Sequence, residues 1–399
     1  MDYSTFTFEF DCDAEGVVIE VDSLYARLER LSDPRDPRGR RYPLALVLVA
    51  VILAKLAGET KPEGIAAWAQ LRVELFRQAF GLKYKRMPHA NSYRRILTTV
   101  IRLEELVEAI ETFLKSLVGE AVPPVYVLDG KTLRGTRPAG AQQGLKLLAV
   151  YVPGTGITLR QVEVAETTNE IPIAQQVLKG LDLHGKIVLG DALHTQRETS
   201  QIIMDGGGDY VWLAKENQER LRQDIEWVFE PASCAPGHSP APTDFRTVRQ
   251  VDKGHGRIEK RTMTVSSLLA DTSDWPGLAQ VFKLQYLATT LQGELLWNEV
   301  VYGLTSLSAT QVSPAELLSL RRQEWAIESE LHYRRDVTLG EDRCRCKHSR
   351  LGQAFATLNN LVIALLLRNR STNAAQSQRY CAAHPDRALN LLFRTPSRL

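Results

Sequence analysis

The apolar run Val125-Tyr126-Val127-Leu128, which stops at Asp129-Gly130, constrains the fold of this 399-residue chain more than any other stretch. Four apolar residues without alternation suit a central strand covered on both faces, not one with a solvated side. Such a strand needs helices above and below it, which places the chain in the α/β class. The cations Lys131, Arg134 and Arg137 follow at once. Asp129 is therefore either a turn aspartate before a glycine that permits a tight exit, or a metal ligand beside a phosphate path. The second reading requires partner carboxylates from elsewhere.

Asp191 supplies one candidate, because Ile187-Val188-Leu189-Gly190 repeats the construction and ends where ligands of parallel α/β sheets gather. Taken alone, Asp191 could equally be the N-cap of the next helix. A third acid comes from the helix that Ser313-Pro314 opens and that runs to about Arg335. Leu317, Leu320, Ile327 and Leu331 form its buried stripe. At about 100° per residue Glu328 lies beside that stripe, with His332 one turn on and Arg321 and Arg335 two turns away. Glu330 points away, and Glu324, on the same face, is the main rival. Together Asp129, Asp191 and Glu328 make sense as a two-metal site. Magnesium prefers carboxylate oxygens and keeps water and phosphate in its shell, and two ions about 3.5–4 Å apart suit phosphodiester chemistry.

The rest of the chain reads as three regions between two short ends. Residues 1–22 are an acidic arm without Lys or Arg, and Arg35, Arg38, Arg40 and Arg41 follow it. Residues 23–120 read as a small all-α domain for DNA binding or dimerisation. In it the helix from Pro62 and the basic helix carrying Arg94 and Arg95 could form a helix-turn-helix or an ordinary bundle. Residues 121–370 carry the sheet: Leu145–Val152 and Ile157–Val164 form a hairpin around Pro153-Gly154-Thr155-Gly156, and crossover helices then imply parallel strands. Within this region about 216–305 reads as a β-rich insertion reached through a Pro/Ser/Ala/Gly-rich linker at 230–245. Its cations, Arg246, Arg249, Lys253, Arg257, Lys260 and Arg261, could grip a phosphate backbone or form a solvated face. Residues 371–399 read as a C-terminal tail.

The formal charge is only +2, so nucleic-acid binding would depend on local basic patches. Cysteines are few and odd in number, which fits a reducing cytosol. Cys344, Cys346 and His348 are spaced too tightly for an ordinary zinc finger. The apolar run from Leu44 to Ala54 is shorter than the roughly 20 residues of a membrane helix and reads as a buried helix. Gly130-Lys131-Thr132 lacks the first glycine of a phosphate loop, and neither a nucleophile elbow nor a zincin His pair is present.

In order along the chain, several blocks resemble the DDE insertion-sequence transposases of the ISAs type, in the RNase H-like superfamily. They are Asp33-Pro34-Arg35 with Arg40-Arg41-Tyr42-Pro43, Leu128 to Gly135, Thr168-Asn169-Glu170-Ile171, Asp191-Ala192-Leu193-His194-Thr195-Gln196, Lys215-Glu216-Asn217-Gln218, His255-Gly256-Arg257, and Trp325 to Asp342. The resemblance implies an RNase H-like mixed-sheet catalytic core with a β-rich insertion. It implies that Asp129, Asp191 and Glu328 hold two Mg²⁺ or Mn²⁺ ions for cleavage of transposon ends and strand transfer into target DNA. Lys131, Arg134, Arg137, Arg94, Arg95, Arg257, Arg321, Arg322, His332 and Arg335 are the candidate DNA contacts, and the resemblance implies a homodimer or larger active complex and a cytoplasmic, nucleoid-associated setting. Glu324 stands where the family commonly has His, Ser329 where Asn is frequent, and Glu216 where Gly is usual. A nuclease of the same fold, or a domesticated regulator with impaired catalysis, are the alternatives.

Overall fold

The computed structural model describes residues 20–118, 125–137, 144–230, 244–368 and 373–394. Most of the acidic arm, Cys12, Cys234 and the centre of the expected linker lie outside these residues. Nine strands form one mixed sheet in the order β3-β2-β1-β4-β5-β9-β8-β7-β6. β1 (Val125–Leu133), β2 (Leu145–Val152) and β3 (Ile157–Val164) are antiparallel, while β4 (Ile187–Gly190) and β5 (Asp209–Ala214) run parallel to β1. This is the mixed-sheet α/β arrangement expected from the sequence. The β-rich segment is continuous with it: β9 (Leu295–Thr305) pairs antiparallel with β5 and extends the sheet through β8 (Gln280–Thr290), β7 (Arg257–Ser266) and β6 (Arg246–Gly254).

The apolar runs have two buried faces because each face meets its own helical layer. Val127, Leu189 and Val211 enter one core, and Leu128, Val188 and Trp212 enter the other. The second face is covered by helices α7 (Glu170–Lys179), α8 (Arg197–Asp205) and α9 (Glu219–Val228), whose Ala174, Leu178, Ile203 and Ile225 are buried there. Asn169 caps α7, its side chain accepting from the Ile171 amide at 3.0 Å. Across the first face lies α11 (Ser349–Leu367), almost wholly buried. It is the one helix among the described residues long and apolar enough to cross a membrane, and it sits inside the protein.

The N-terminal helices α1 (Leu24–Glu29), α2 (Leu44–Leu56), α3 (Pro62–Leu71), α4 (Val73–Phe80), α5 (Ala90–Arg95) and α6 (Leu103–Leu117) share that same core. All thirteen residues of α2 are buried, including Lys55, whose Nζ donates to Asn359 Oδ1 of α11 at 2.8 Å. α3 and α5 pack together but are separated in sequence by α4, and α5 runs straight into a π-helical turn, Ile96–Val100.

Three expectations change. β1 does not exit at Gly130; it continues to Leu133, paired with β2 throughout, so Asp129 lies within a strand and not in a turn. The helix expected to reach Arg335 ends as α10 (Pro314–Glu324), and π-helical segments at Ile327–His332 and Arg334–Thr338 follow. Residues 373–394 are not a tail: α12 (Ala374–Ala383) and α13 (Pro385–Phe393) dock on α2, and Leu389, Leu392 and Phe393 are buried. The physical reason is aromatic packing: the Phe393 ring lies edge-on to Tyr25 at 5.0 Å and against Phe80 at 5.6 Å.

Phe393→Ala would leave a cavity between α1, α4 and α13, and urea denaturation should register a loss of about 3–5 kcal/mol. A loss below about 0.5 kcal/mol, the scale of a surface substitution, would show that α13 is not docked.

Candidate active site

β1 and β4 place two aspartates side by side. Their parallel register ends at Leu128 opposite Gly190, so Asp129 and Asp191 are the next residues on strands spaced about 4.8 Å apart. By strand alternation Asp129 points to the side of Val127. Asp191 also does what its local sequence suggested: its Oδ1 accepts from the Leu193 amide at 3.0 Å and caps the short turn Ala192–His194. Capping occupies one oxygen and leaves the carboxylate 60% exposed.

The third element is the π-helical segment, which lies on β1. One ligand atom each from Asp129, Glu328 and His332 lies within 4.8 Å of the others. His332, only 3% exposed, sets its Nε2 2.9 Å from Asp129 Oδ2. Its Nδ1 is buried without a partner. The two carboxylates at such separations fit a hard divalent cation, and the imidazole supports one of them through its contact with Asp129. The widened π turns bring Glu328 and His332 onto the same strand residue while Glu330 goes elsewhere. Glu330 stands apart from that group: its Oε2 accepts from the Tyr151 hydroxyl at 2.7 Å and the Gly154 amide at 2.8 Å. π bulges are rare and recur at functional sites, and a 3.6-residue period cannot anticipate the angular shift they introduce.

Around this group lies a buried polar shell. Glu324 is paired with Arg321, which is buried, and is itself only partly exposed. Burial pushes its carboxyl up to about 7, with Asp191 and Asp129 adding to the rise against the pull of Arg321. Lys131 Nζ meets Asp336 Oδ2 at 2.5 Å. On the other side, His194 Nε2 stands 3.7 Å from Glu170 and 3.9 Å from Asp191, and Glu170 is bound by Lys146 at 2.6 Å. Burial lowers the His194 proton affinity despite these acids. A Cβ at Gly130 would come within 2.3 Å of a Glu170 oxygen, so any larger residue there would displace that carboxylate. Glu170, His194 and Lys146 had no predicted role. Glu170 and His194 sit in the quoted sequence blocks, but nothing in their spacing shows that they converge.

The expected DNA contacts divide sharply. Arg335 is fully buried, bonded to Glu341, Gln161 and Asn360, and cannot reach a ligand. Arg321 and His332 are likewise buried, committed to Glu324 and Asp129, so these three are internal positioning groups. Lys131 is engaged with Asp336, and Arg94 with Glu63. Arg257 pairs with Glu259 and covers Trp297. In contrast, Arg95 and Arg137 are exposed, Arg134 is 85% exposed, and Arg322 is exposed though 3.4 Å from Asp252. Cys344 and Cys346 are not part of any metal-competent group among the described residues. Their Sγ atoms approach the carbonyls of Thr60 and His348, and burial raises both thiols.

Comparison with known proteins places this geometry in context. Residues 120–367 match the transposase DDE domain family, and residues 25–114 match the family described as DDE_Tnp_1-associated. The chain is 22% identical over 379 residues to YbfL of Escherichia coli (strain K12), covering 92% of this chain and 98% of that protein. It is equally similar, over the same shares, to YhhI of the same organism, provisionally named an H repeat-associated transposase. A protein encoded in the dhlA 3′ region of Xanthobacter autotrophicus is 28% identical over 63% of this chain and 83% of its own length. A piggyBac transposase in a synaptic complex with hairpin DNA aligns at TM-score 0.41 and 10% identity, covering 90% of this chain and 76% of that one.

Glu324 yields a pH test. An acid whose folded-state pKa of about 7 exceeds its ordinary 4.5 holds its proton more tightly when folded. Its contribution to stability is thus complete below about pH 4.5 and declines as pH rises towards 7. Urea denaturation of Glu324→Gln should therefore show a shallower decline across that window than the wild type; parallel profiles would refute the assignment.

Proposed function

The chain belongs to the transposase DDE domain family, and we propose that it cleaves transposon ends and joins them to target DNA, with Asp129, Asp191 and Glu328 as the catalytic carboxylates. The single observation that carries this reading is the meeting of Glu328 and His332 with Asp129, within β1 and beside Asp191 at the end of β4. Asp129, Glu328 and Asp191 would hold two Mg²⁺ or Mn²⁺ ions. Bound there, the ions would supply Lewis-acid stabilisation of charge on the attacking and leaving oxygens of a phosphodiester.

The protein's own groups have separable roles in this proposal. His332 binds one oxygen of Asp129 and so fixes the orientation of that carboxylate, as a supporting partner does for a metal ligand. Glu324, with a pKa near neutrality, is the acid at this site able to hold or release a proton under working conditions. Exposed Arg134, Arg137, Arg95 and Arg322 would contact DNA phosphates, with the duplex acting as substrate in both the cutting and joining steps. Holding two DNA ends at once would require at least a homodimer in the active complex. The place of action would be the nucleoid in the cytoplasm.

Purified protein with Mg²⁺ and duplexes ending in the element's inverted repeats should nick and join them. Asp129→Ala should reduce product by more than about 100-fold, beyond the 10–100-fold typical of losing only a metal ligand's supporting partner. DNA binding should be retained. Undiminished activity in Asp129→Ala would overturn the site, and cleavage that never yields joined product would favour a nuclease.

A further inference from the structure

A second cationic feature lies away from the carboxylates, where the start of α3 faces the loop that leads into α11. A cavity of about 540 Å³ opens there, lined by Lys61, Arg94, Arg343, Arg345, Lys347 and His348 among others. Arg94 is balanced by Glu63 in the same wall. Among the described residues, Lys61, Arg343, Arg345 and Lys347 are exposed and form no ion pair, so four positive charges converge without compensation. Two helices begin at its rim, α3 after Lys61 and α11 after His348, and neither has a side-chain cap on its first amides. Both therefore add the positive end of a helix dipole to the same space.

The cavity connects physically to the catalytic strand. Beyond Leu133, β1 leads into the turn Arg134–Thr136, where Gly135 lies so close to the Cys344 carbonyl that a Cβ would come within 2.3 Å of it. Arg134 Nε lies 3.9 Å from Asp342. Four strand steps separate Asp129 from Leu133, about 13 Å at the rise of a β-strand, and the tight turn adds about 4 Å to Gly135. That is roughly five base pairs of duplex at 3.4 Å per step. Arg134 lies along the way and Arg137 just beyond it.

We propose that this cavity seats the sugar-phosphate backbone of the duplex flanking the scissile position, with Arg343, Arg345, Lys347 and Lys61 as the phosphate contacts. The assignment rests on the DNA-transposase reading and extends it to a surface that no carboxylate touches. Unpaired, exposed arginines and lysines drawn from two distant segments match the spaced charges of a polynucleotide. The short Cys-x-Cys segment then serves as a strap that holds three of these cations outward, with its thiols turned to backbone carbonyls.

The test measures binding of the full chain to a random-sequence duplex by fluorescence anisotropy over a series of KCl concentrations, without divalent metal. Arg343→Ala/Arg345→Ala/Lys347→Ala should weaken binding uniformly across sequences and reduce the slope of log K against log salt by about 3, near one unit per lost phosphate contact. Arg30→Ala/Lys179→Ala, which removes exposed cations elsewhere, should leave the slope unchanged. Circular dichroism would verify that both variants fold. If the wild type binds and the triple variant keeps its affinity and slope, the cavity assignment falls and the transposase reading stands. A wild type that binds no duplex would overturn both, and equal losses in the two variants would overturn the cavity assignment by reducing it to net charge.

Discussion

The buried pairing of Arg335 with Glu341 is the interaction on which the placement of the active-site segment depends. Arg335 has no exposed surface, and its guanidinium donates to Glu341 at 2.8 and 3.1 Å and to Gln161 of β3 at 2.9 Å. Glu341 accepts a further bond from Asn359 of α11 at 2.7 Å, and Asn359 in turn accepts from Lys55 of α2. A buried charge survives only when paired and fully bonded, and removing one partner of such a pair costs about 3–5 kcal/mol. The network ties sheet, α11 and the N-terminal helices to the stretch that follows Glu328 and His332. Burial at this junction also lowers Lys55 to about 8, while the nearby Cys344 and Glu341 oppose that shift.

Anchoring matters because the site is built from elements that would otherwise separate. Carboxylates from β1, β4 and the π-helical segment repel one another, and Glu324 adds a fourth nearby. The fold answers with buried cations and one imidazole: Arg321 against Glu324, Lys131 against Asp336, and His332 against Asp129. Several arginines and lysines that look like DNA contacts in sequence are thereby consumed in holding the acids together. Those left exposed lie further out, along Arg134, Arg137 and the loop before α11.

Much of the architecture was legible because burial on two faces has a direct signature. Val125–Leu128 and Ile187–Leu189 are uninterrupted apolar runs, and their position between two helical layers is the reason. The capping residue Ser313 was equally readable, since its side chain satisfies a backbone amide locally. Arg335 was misread because a charged residue is assigned to solvent by default, and only tertiary partners reveal otherwise. The π turns were invisible to a 3.6-residue period. Gly130 resembled a turn signal because Glu170, whose carboxylate crowds that position, lies forty residues away in sequence. The C-terminal helices carry short apolar patches that make sense only against α1, α2 and α4.

The central claim is that β1 and the π-helical segment together form a divalent-cation site, and thermal unfolding against metal concentration tests it most directly. Ligand that binds only the folded state raises stability by RT ln(1 + [L]/Kd). The account predicts that Mn²⁺ raises the melting temperature of the wild type in a concentration-dependent way, and that Glu328→Gln and Asp129→Asn each abolish the rise while remaining folded. An equal Mn²⁺-dependent rise in both variants would contradict it.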